Sequence, residues 1–410
     1  MENRYDKYKD SGIAWIGEIP EHWELRKGKN LFKLRNSKGN NNAILLAATQ
    51  KYGMIPQSQV EGVVQVKQNT DLNTFKTVHK NDYVISLRSF QGGFEMSEYE
   101  GVCSPAYQVF YSTKPCCNYF FKYMFKSYGF VSQINAFTLG IREGKNIQYE
   151  DFSLMKLPLP TIQEQQSIAT YLDQKCSEID ELITLQEEMI TKLQSYKQSV
   201  ITEAVTKGLD KNVPLKDSGI EWIGEIPEHW SLVSIGKLFN IYAGGDAKPD
   251  YYSNTKDLEH PFPVYTNTRS EHEIYAYTSK AIFPANTITV TGRGDVGHAI
   301  YRRTPYDAII RLLSLIPKNN YDCRFYTYFI DIVIPFMDGK SAVAQLSALQ
   351  LKPQLVCLPS NEEQQSIADY LDQRCSEIDE LISIKQQKIE KLKDYKKSLI
   401  FECVTGKRKV

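Results

Sequence analysis

The chain has 410 residues, 42% hydrophobic and 24% charged, with 49 basic side chains balancing 49 acidic ones. These are globular values that exclude a disordered or collagen-like chain, and the length fits two to three domains. No run of ~18 apolar residues occurs and the start is polar, so neither a membrane span nor a signal peptide is expected and the protein is read as cytoplasmic.

The chain opens on a segment that it later repeats. Asp10-Ser11-Gly12-Ile13-Ala14-Trp15-Ile16-Gly17-Glu18-Ile19-Pro20-Glu21-His22-Trp23 returns as residues 217–230, with 13 of 14 positions identical. Residues 1–23 therefore form an N-terminal repeat segment, and 208–230 a linker with its second copy. Residues 24–160 are a first variable block. In it, the alternation of Asp82-Tyr83-Val84-Ile85-Ser86-Leu87-Arg88 predicts a strand, and the Tyr- and Phe-rich stretch from Asn118 to Phe130 a short buried helix. Residues 161–207 lack Pro and Gly and carry the heptad series Leu172, Ile179, Gln186, Leu193 and Val200. Beside it run Leu182, Met189, Tyr196 and Cys176, Ile183, Ile190. Apolar lines seven apart predict one long helix with a wide stripe, roughly 65 Å long at ~1.5 Å per residue.

The second variable block, 231–358, shows no comparable likeness to the first; it offers a strand at Thr287–Thr291 and a helix from Tyr321 to Phe336. Residues 359–410 predict a second long helix. Glu164–Ile183 reappears there as Glu363–Ile382 with 18 of 20 positions identical, and the heptads continue through Leu371, Ile378, Lys385, Leu392 and Leu399. Gln186 and Lys385 interrupt the seam at equivalent places, a device that fixes register. A helix of this length with one apolar stripe needs a partner. The simplest is its own copy, packed antiparallel because both variable blocks join its ends; homodimerisation through a generic coiled coil is the other possibility.

Motifs for chemistry come up short. Gly292-Arg293-Gly294-Asp295-Val296-Gly297 fits a dinucleotide fingerprint in letters, but the alternating His298-Ala299-Ile300-Tyr301-Arg302 predicts a strand where a helix is required. A glycine turn between strands, holding Arg293 outward, fits better. Ser104-Pro105-Ala106-Tyr107 departs from the adenine-methyltransferase tetrapeptide at two positions, and Glu143-Gly144-Lys145 lacks the acidic partner of a metal nuclease. The eight cysteines lack C-x-x-C spacing and are read as small buried residues in a reducing compartment. His22 and His229, each beside a Trp, are read as packing or interface residues. What remains is recognition. Residues 24–160 hold 17 Lys+Arg against 10 Asp+Glu, and 231–358 hold 13 against 11, so both blocks are locally basic. Loop residues able to bond base edges or phosphates are Arg88, Ser89, Gln91, Arg142, Lys145 and Asn146 in the first block. In the second they are Arg269, Arg293, Asp295, Arg302 and Lys340.

The doubled Asp-Ser-Gly-Ile-x-Trp-Ile-Gly-Glu-Ile-Pro-Glu-His-Trp, the doubled Glu-Gln-Gln-Ser-Ile-Ala-x-Tyr-Leu-Asp helix start and Arg88-Ser89-Phe90-Gln91-Gly92-Gly93 after a strand together resemble the specificity subunit of a Type I restriction-modification enzyme. The resemblance covers nearly the whole chain. It implies two α/β (α+β) target-recognition domains, at 24–160 and 231–358, joined by long antiparallel coiled-coil helices with a pseudo-two-fold internal repeat. It further implies a non-catalytic subunit that reads a bipartite double-stranded DNA target, with the helix pair setting the gap. Implied partners are two methyltransferase subunits and motor-nuclease subunits. S-adenosylmethionine, ATP and Mg would belong to those partners, and none would be bound by this chain. A coiled-coil scaffold with two protein-binding heads, or a stand-alone DNA methyltransferase or nuclease, are the alternatives.

Overall fold

The computed structural model describes residues 4–39, 41–50, 52–60, 70–86, 93–138, 147–270, 272–336 and 345–410. Residues 1–186 with 387–410 form one compact unit, and 187–386 a second. Each boundary falls inside a long helix.

In the first unit the repeat segment is a tight loop closed by the short antiparallel strands Tyr8–Asp10 and Glu18–Pro20. The Asp10 carboxylate accepts from the Gly12 N–H at 2.9 Å and the Ser11 hydroxyl from the Ile13 N–H at 3.1 Å, local bonds that set the turn. Strand Glu24–Lys27 then pairs with Lys156–Leu159, so the frame holds the variable block by its entry and its exit. Within the block lie strands β1 (Phe32–Arg35), β2 (Tyr83–Ile85), β3 (Phe94–Met96) and β4 (Gln108–Ser112). They form one antiparallel sheet in the order β1-β4-β2-β3. Its core is aromatic. Phe32, Tyr83, Phe94, Phe110, Phe125 and Phe152 are fully buried, with Phe110 and Phe152 ring centroids 5.0 Å apart. The helix expected over Asn118 to Phe130 is broken in two, Asn118–Lys126 and Tyr128–Thr138, because Ser127 is extended with ψ 139°. The break brings Gly129 against Trp15 and Phe401, where a Cβ would lie within 2.8 Å of both rings.

The second unit repeats this plan. Leu215–Asp217 pairs with Glu225–Pro227, and Ser231–Ser234 with Leu355–Leu358. Strands β5 (Phe239–Ala243), β6 (Thr287–Val290), β7 (Ala299–Arg302) and β8 (Leu313–Pro317) form an antiparallel sheet in the equivalent order β5-β8-β6-β7. Helix Cys323–Ile332 covers it, as Asn118–Lys126 covers the first. The core, however, is largely aliphatic, with Ile288, Val290, Leu313 and Leu315 buried beside Phe325 and Phe329. Two sequences without visible likeness thus share one sheet. Among the described residues, and apart from the paired entry and exit strands, the blocks differ in what surrounds it: two separate two-stranded ribbons within 24–160 and a second four-stranded sheet within 231–358.

The long helices are Ile162–Lys207 and Asn361–Val404, 46 and 44 residues without a break, or about 65–70 Å each. In the first unit Ile168, Leu172, Cys176 and Ile179 share a core with Leu399, Ile400, Cys403 and Val404. In the second, Val200, Ile201, Ala204 and Val205 share one with Ile367, Leu371 and Cys375. Within each unit the start of one helix meets the end of the other, the antiparallel pairing expected. Equivalent ion pairs repeat it: Lys396 to Asp180 at 2.6 Å in the first unit and Lys197 to Asp379 at 2.7 Å in the second. The apolar stripe is wider than the partner helix covers. Leu182, Leu185 and Tyr395 stay exposed in the first unit, and the equivalents Leu381, Ile384 and Tyr196 in the second. Among the described residues no helix is long and apolar enough to cross a membrane.

Candidate nucleic-acid interface

The frame explains what each doubled motif does. Glu164 stands in the first turn of its helix, and one carboxylate oxygen accepts from Thr161 N–H at 3.1 Å while the other accepts from His22 Nε2 at 2.8 Å and Trp23 Nε1 at 3.2 Å. Glu363 does the same with Ser360 N–H at 3.0 Å, His229 at 2.9 Å and Trp230 at 3.0 Å. Each is a helix-capping carboxylate that also anchors the repeat segment, and Trp23 and Trp230 are buried. Partial burial opposes ionisation of Glu363, but the bonds from His229, Trp230 and Ser360 outweigh it and push the carboxyl down to about 2; Glu164 is lowered by the matching set. The next residue, Gln165 or Gln364, is buried and spans the preceding proline carbonyl and a backbone N–H of the variable block, that of Cys117 or Asp322, at 2.9–3.0 Å. His22 and His229 are therefore structural anchors.

The loops that the frame presents are hairpin tips. In the second unit β6 and β7 are joined by the glycine turn, closed by Thr291 N–H to the His298 carbonyl at 2.9 Å. A strand follows it, so the dinucleotide pattern is a hairpin, as expected. Gly297 has φ +89°, and a Cβ there would strike the Phe336 ring at 2.3 Å. Arg293 is exposed and makes no side-chain bond among the described residues. Asn267 fixes its backbone: Oδ1 accepts from Gly292 N–H at 2.7 Å and Arg293 N–H at 3.2 Å. Arg269 and Asp295, both more than half exposed, pair with each other at 3.0 Å, so each partly cancels the other's charge.

His298 braces the same edge. Its Nδ1 meets the Asp331 carboxylate at 2.5 Å and its Nε2 the Arg269 carbonyl at 2.9 Å. Both partners only accept, so the imidazolium, which donates twice, fits best, and the bond to Asp331 raises the His298 pKa despite partial burial.

Arg302 corrects an expectation. It is only 4% exposed, donates Nε–H to Thr289 Oγ1 at 2.9 Å, and stacks 3.6 Å over the Tyr265 ring. Its side chain is packed inside the block and ties β6 to Tyr265.

A turn that the sequence did not point to closes this edge. Ile309 to Leu312 is bonded 3.2 Å from Leu312 N–H to the Ile309 carbonyl, with Ile310 at φ 54° and Arg311 at φ 64°. Two left-handed central residues make a type I′ turn, which favours Asn-Gly; with Ile and Arg the backbone carries about 1–3 kcal/mol of strain at each position. Neighbours hold it. Ile310 N–H donates to the Gly245 carbonyl at 2.8 Å, and Asn267 Nδ2 donates to the Ile310 carbonyl at 2.6 Å. The Arg311 carbonyl lies where a Cβ on Gly292 would come within 2.6 Å.

In the first unit, the hairpin between β2 and β3 is closed by Ser86 N–H to the Gly93 carbonyl at 2.8 Å. Six residues lie inside that closing pair, 87–92, as six lie inside the other, 292–297, and each six has Arg second, Arg88 and Arg293. Arg88, Ser89, Gln91, Arg142, Lys145, Asn146 and Lys340 lie outside the described residues. Among the described residues no group of three or more His, Cys, Asp or Glu could hold a metal ion. The eight thiols are free, seven buried and Cys116 half-buried, and burial pushes those of Cys103, Cys323, Cys357 and Cys403 up to about 12.

A family profile described as the Type I restriction modification DNA specificity domain matches residues 20–194 and again 227–394. A protein of Methanocaldococcus jannaschii provisionally described as the type I restriction enzyme MjaX specificity subunit is 26% identical over 426 aligned positions, covering 96% of each chain. A chain solved in work on complex assembly and conformational transition of the type I R-M system matches with TM-score 0.76 and 14% identity, over 94% of this chain and 98% of that one. The HsdS subunit from Thermoanaerobacter tengcongensis matches with TM-score 0.55 and 15% identity, over 95% and 98%. At such identities the solved structures speak for the fold alone.

Proposed function

We propose a function from one premise: the chain belongs to the Type I restriction modification DNA specificity family. It is a DNA sequence-recognition subunit. In this reading each variable block reads one half of a split target, and the unbroken helix pair sets the gap between the halves. The observation that carries it is the pairing of nearly identical frame segments with two sheets of one topology whose surrounding loops differ. A protein that read one surface would have no use for two unlike payloads on one frame.

The chain itself does no chemistry in this account. Two methyltransferase subunits dock on the repeated frame, where each unit leaves three equivalent apolar side chains uncovered, and motor-nuclease subunits join them. S-adenosylmethionine, ATP and Mg act in those partners, and the complex works in the cytoplasm. The exposed Arg293 supplies contact in the second block, and Arg88, Ser89, Gln91, Arg142, Lys145, Asn146 and Lys340 remain proposed contacts. Arg269 and Asp295 are proposed as a pair that opens onto DNA.

The test is binding of the full chain, with its methyltransferase partners, to a random-sequence duplex library at several salt concentrations. Affinity that falls with salt together with enrichment of a two-part sequence is expected. Binding that ignores sequence would leave a scaffold with two protein-binding heads as the better account.

A further inference from the structure

The left-handed turn at Ile309–Leu312 is more than the fold of the second unit requires. At the equivalent place in the first unit, just before β4, the chain turns through Ser104-Pro105-Ala106-Tyr107, closed by Tyr107 N–H to the Ser104 carbonyl at 3.0 Å. No residue there has positive φ. The shared topology needs a turn at this point, and it needs neither a left-handed backbone nor a charge. The second unit has both.

Three segments buttress the strained turn: Gly244–Gly245, Asn267 and Gly292. What this bracing presents is the Arg311 side chain, exposed and without a side-chain partner among the described residues. Ile310 is 40% exposed, so burial of its side chain does not account for the strain. Strain retained at a surface turn and over-determined by its surroundings is characteristic of a functional position. Asn267 links it directly to the hairpin of Arg293, bonding Ile310 on one side and Gly292 and Arg293 on the other. Two unpaired guanidiniums thus stand on one braced edge of a variable block.

We propose that Arg311, presented by this turn, is a base-reading residue of the second recognition domain, its planar fork suited to the O6 and N7 of a guanine in the major groove. This rests on the DNA-recognition reading above.

The full chain with its methyltransferase partners is mixed with a random-sequence duplex library, and the bound DNA is sequenced. Arg311→Ala is expected to lower the preference at one base pair of one half-site by about 5- to 150-fold and leave the other half-site as in the natural chain. Arg311→Lys keeps the charge and the donors without the planar fork and is expected to weaken the same preference, by less than Arg311→Ala does. Arg311→Gly relaxes the backbone, so the same loss with a raised melting temperature separates contact from folding. Retained preference in Arg311→Ala or Arg311→Gly, or an equal loss of affinity for every sequence, overturns the assignment; equal loss would mark a phosphate contact. A natural chain that selects no sequence overturns the DNA-recognition reading itself, a result distinct from all of these.

Discussion

Glu363→Ala should destabilise the second unit, and the size of the effect follows from the hydrogen bonds that the carboxylate accepts. They come from a buried indole N–H, a half-exposed imidazole and the Ser360 N–H at the helix start. Leaving the Trp230 N–H unpaired costs about 1–3 kcal/mol. The missing cap adds about 1 kcal/mol, and the exposed His229 bond less than that. The expected total is about 2–4 kcal/mol, seen as a fall in melting temperature of roughly 5–15 °C for a unit of this size. Glu164→Ala breaks the equivalent set in the first unit and should cost the same within about 1 kcal/mol. The pH dependence has a definite sign. The folded carboxyl is depressed to about 2, so its stabilisation is present above the ordinary 4.5 and is lost as pH falls from there through about 2. Glu363→Gln keeps one acceptor oxygen and should lose that acid limb. Urea unfolding at pH 7 and pH 3 measures both effects. A cost below about 0.5 kcal/mol, or an acid limb unchanged in Glu363→Gln, refutes the anchoring role.

Three further outcomes are expected. His298, with its pKa raised, contributes stability that is full below the ordinary 6.5 and lost as pH rises through the folded value, so melting of the natural chain should fall as pH rises above 6.5 while His298→Asn shows no such fall. Arg302→Met should destabilise the second unit by about 2–3 kcal/mol, from the removed stacking on Tyr265 and bond to Thr289, with no selective change at one base pair in sequenced bound DNA. Four residues inserted after Gln186 together with four after Gln386 preserve the packing inside each unit and lengthen each helix by ~6 Å, about two base pairs of duplex. Mapping the target should then show a wider gap and unchanged halves; an unchanged gap removes the ruler from the account.

The long helices were legible because an uninterrupted seven-residue repeat leaves few other conformations; the first, Ile162–Lys207, matches the expected 161–207, while the second, Asn361–Val404, ends six residues before the expected 410. The glycine hairpin was legible from the alternation that follows it. The common topology of the variable blocks was hidden because equivalent sheets are filled differently, with Phe and Tyr in one and Ile, Val and Leu in the other. Packing volume, which a sheet can meet with several residue types, leaves no matching letters. Arg302 was misread although a signal was present: it lies two residues after the buried Ile300, on the same face of β7. Ser127 and Arg311 gave no signal, since neither an extended break between helices nor a left-handed Ile-Arg turn follows from local preference. The doubled His-Trp and Glu-Gln-Gln motifs were legible as frame, but only the structure shows one carboxylate joining them.

The central claim is that the frame is generic and the variable blocks carry sequence choice. It is tested most directly by replacing residues 231–358 with a copy of 24–160, since both blocks enter and leave on equivalent paired strands. The hybrid and the natural chain are expressed with the proposed methyltransferase partners, and modified adenines are mapped across the cell's DNA. The account predicts that one half of the target stays as it was and the other is replaced by a second copy of it. A target identical to that of the natural chain would contradict it.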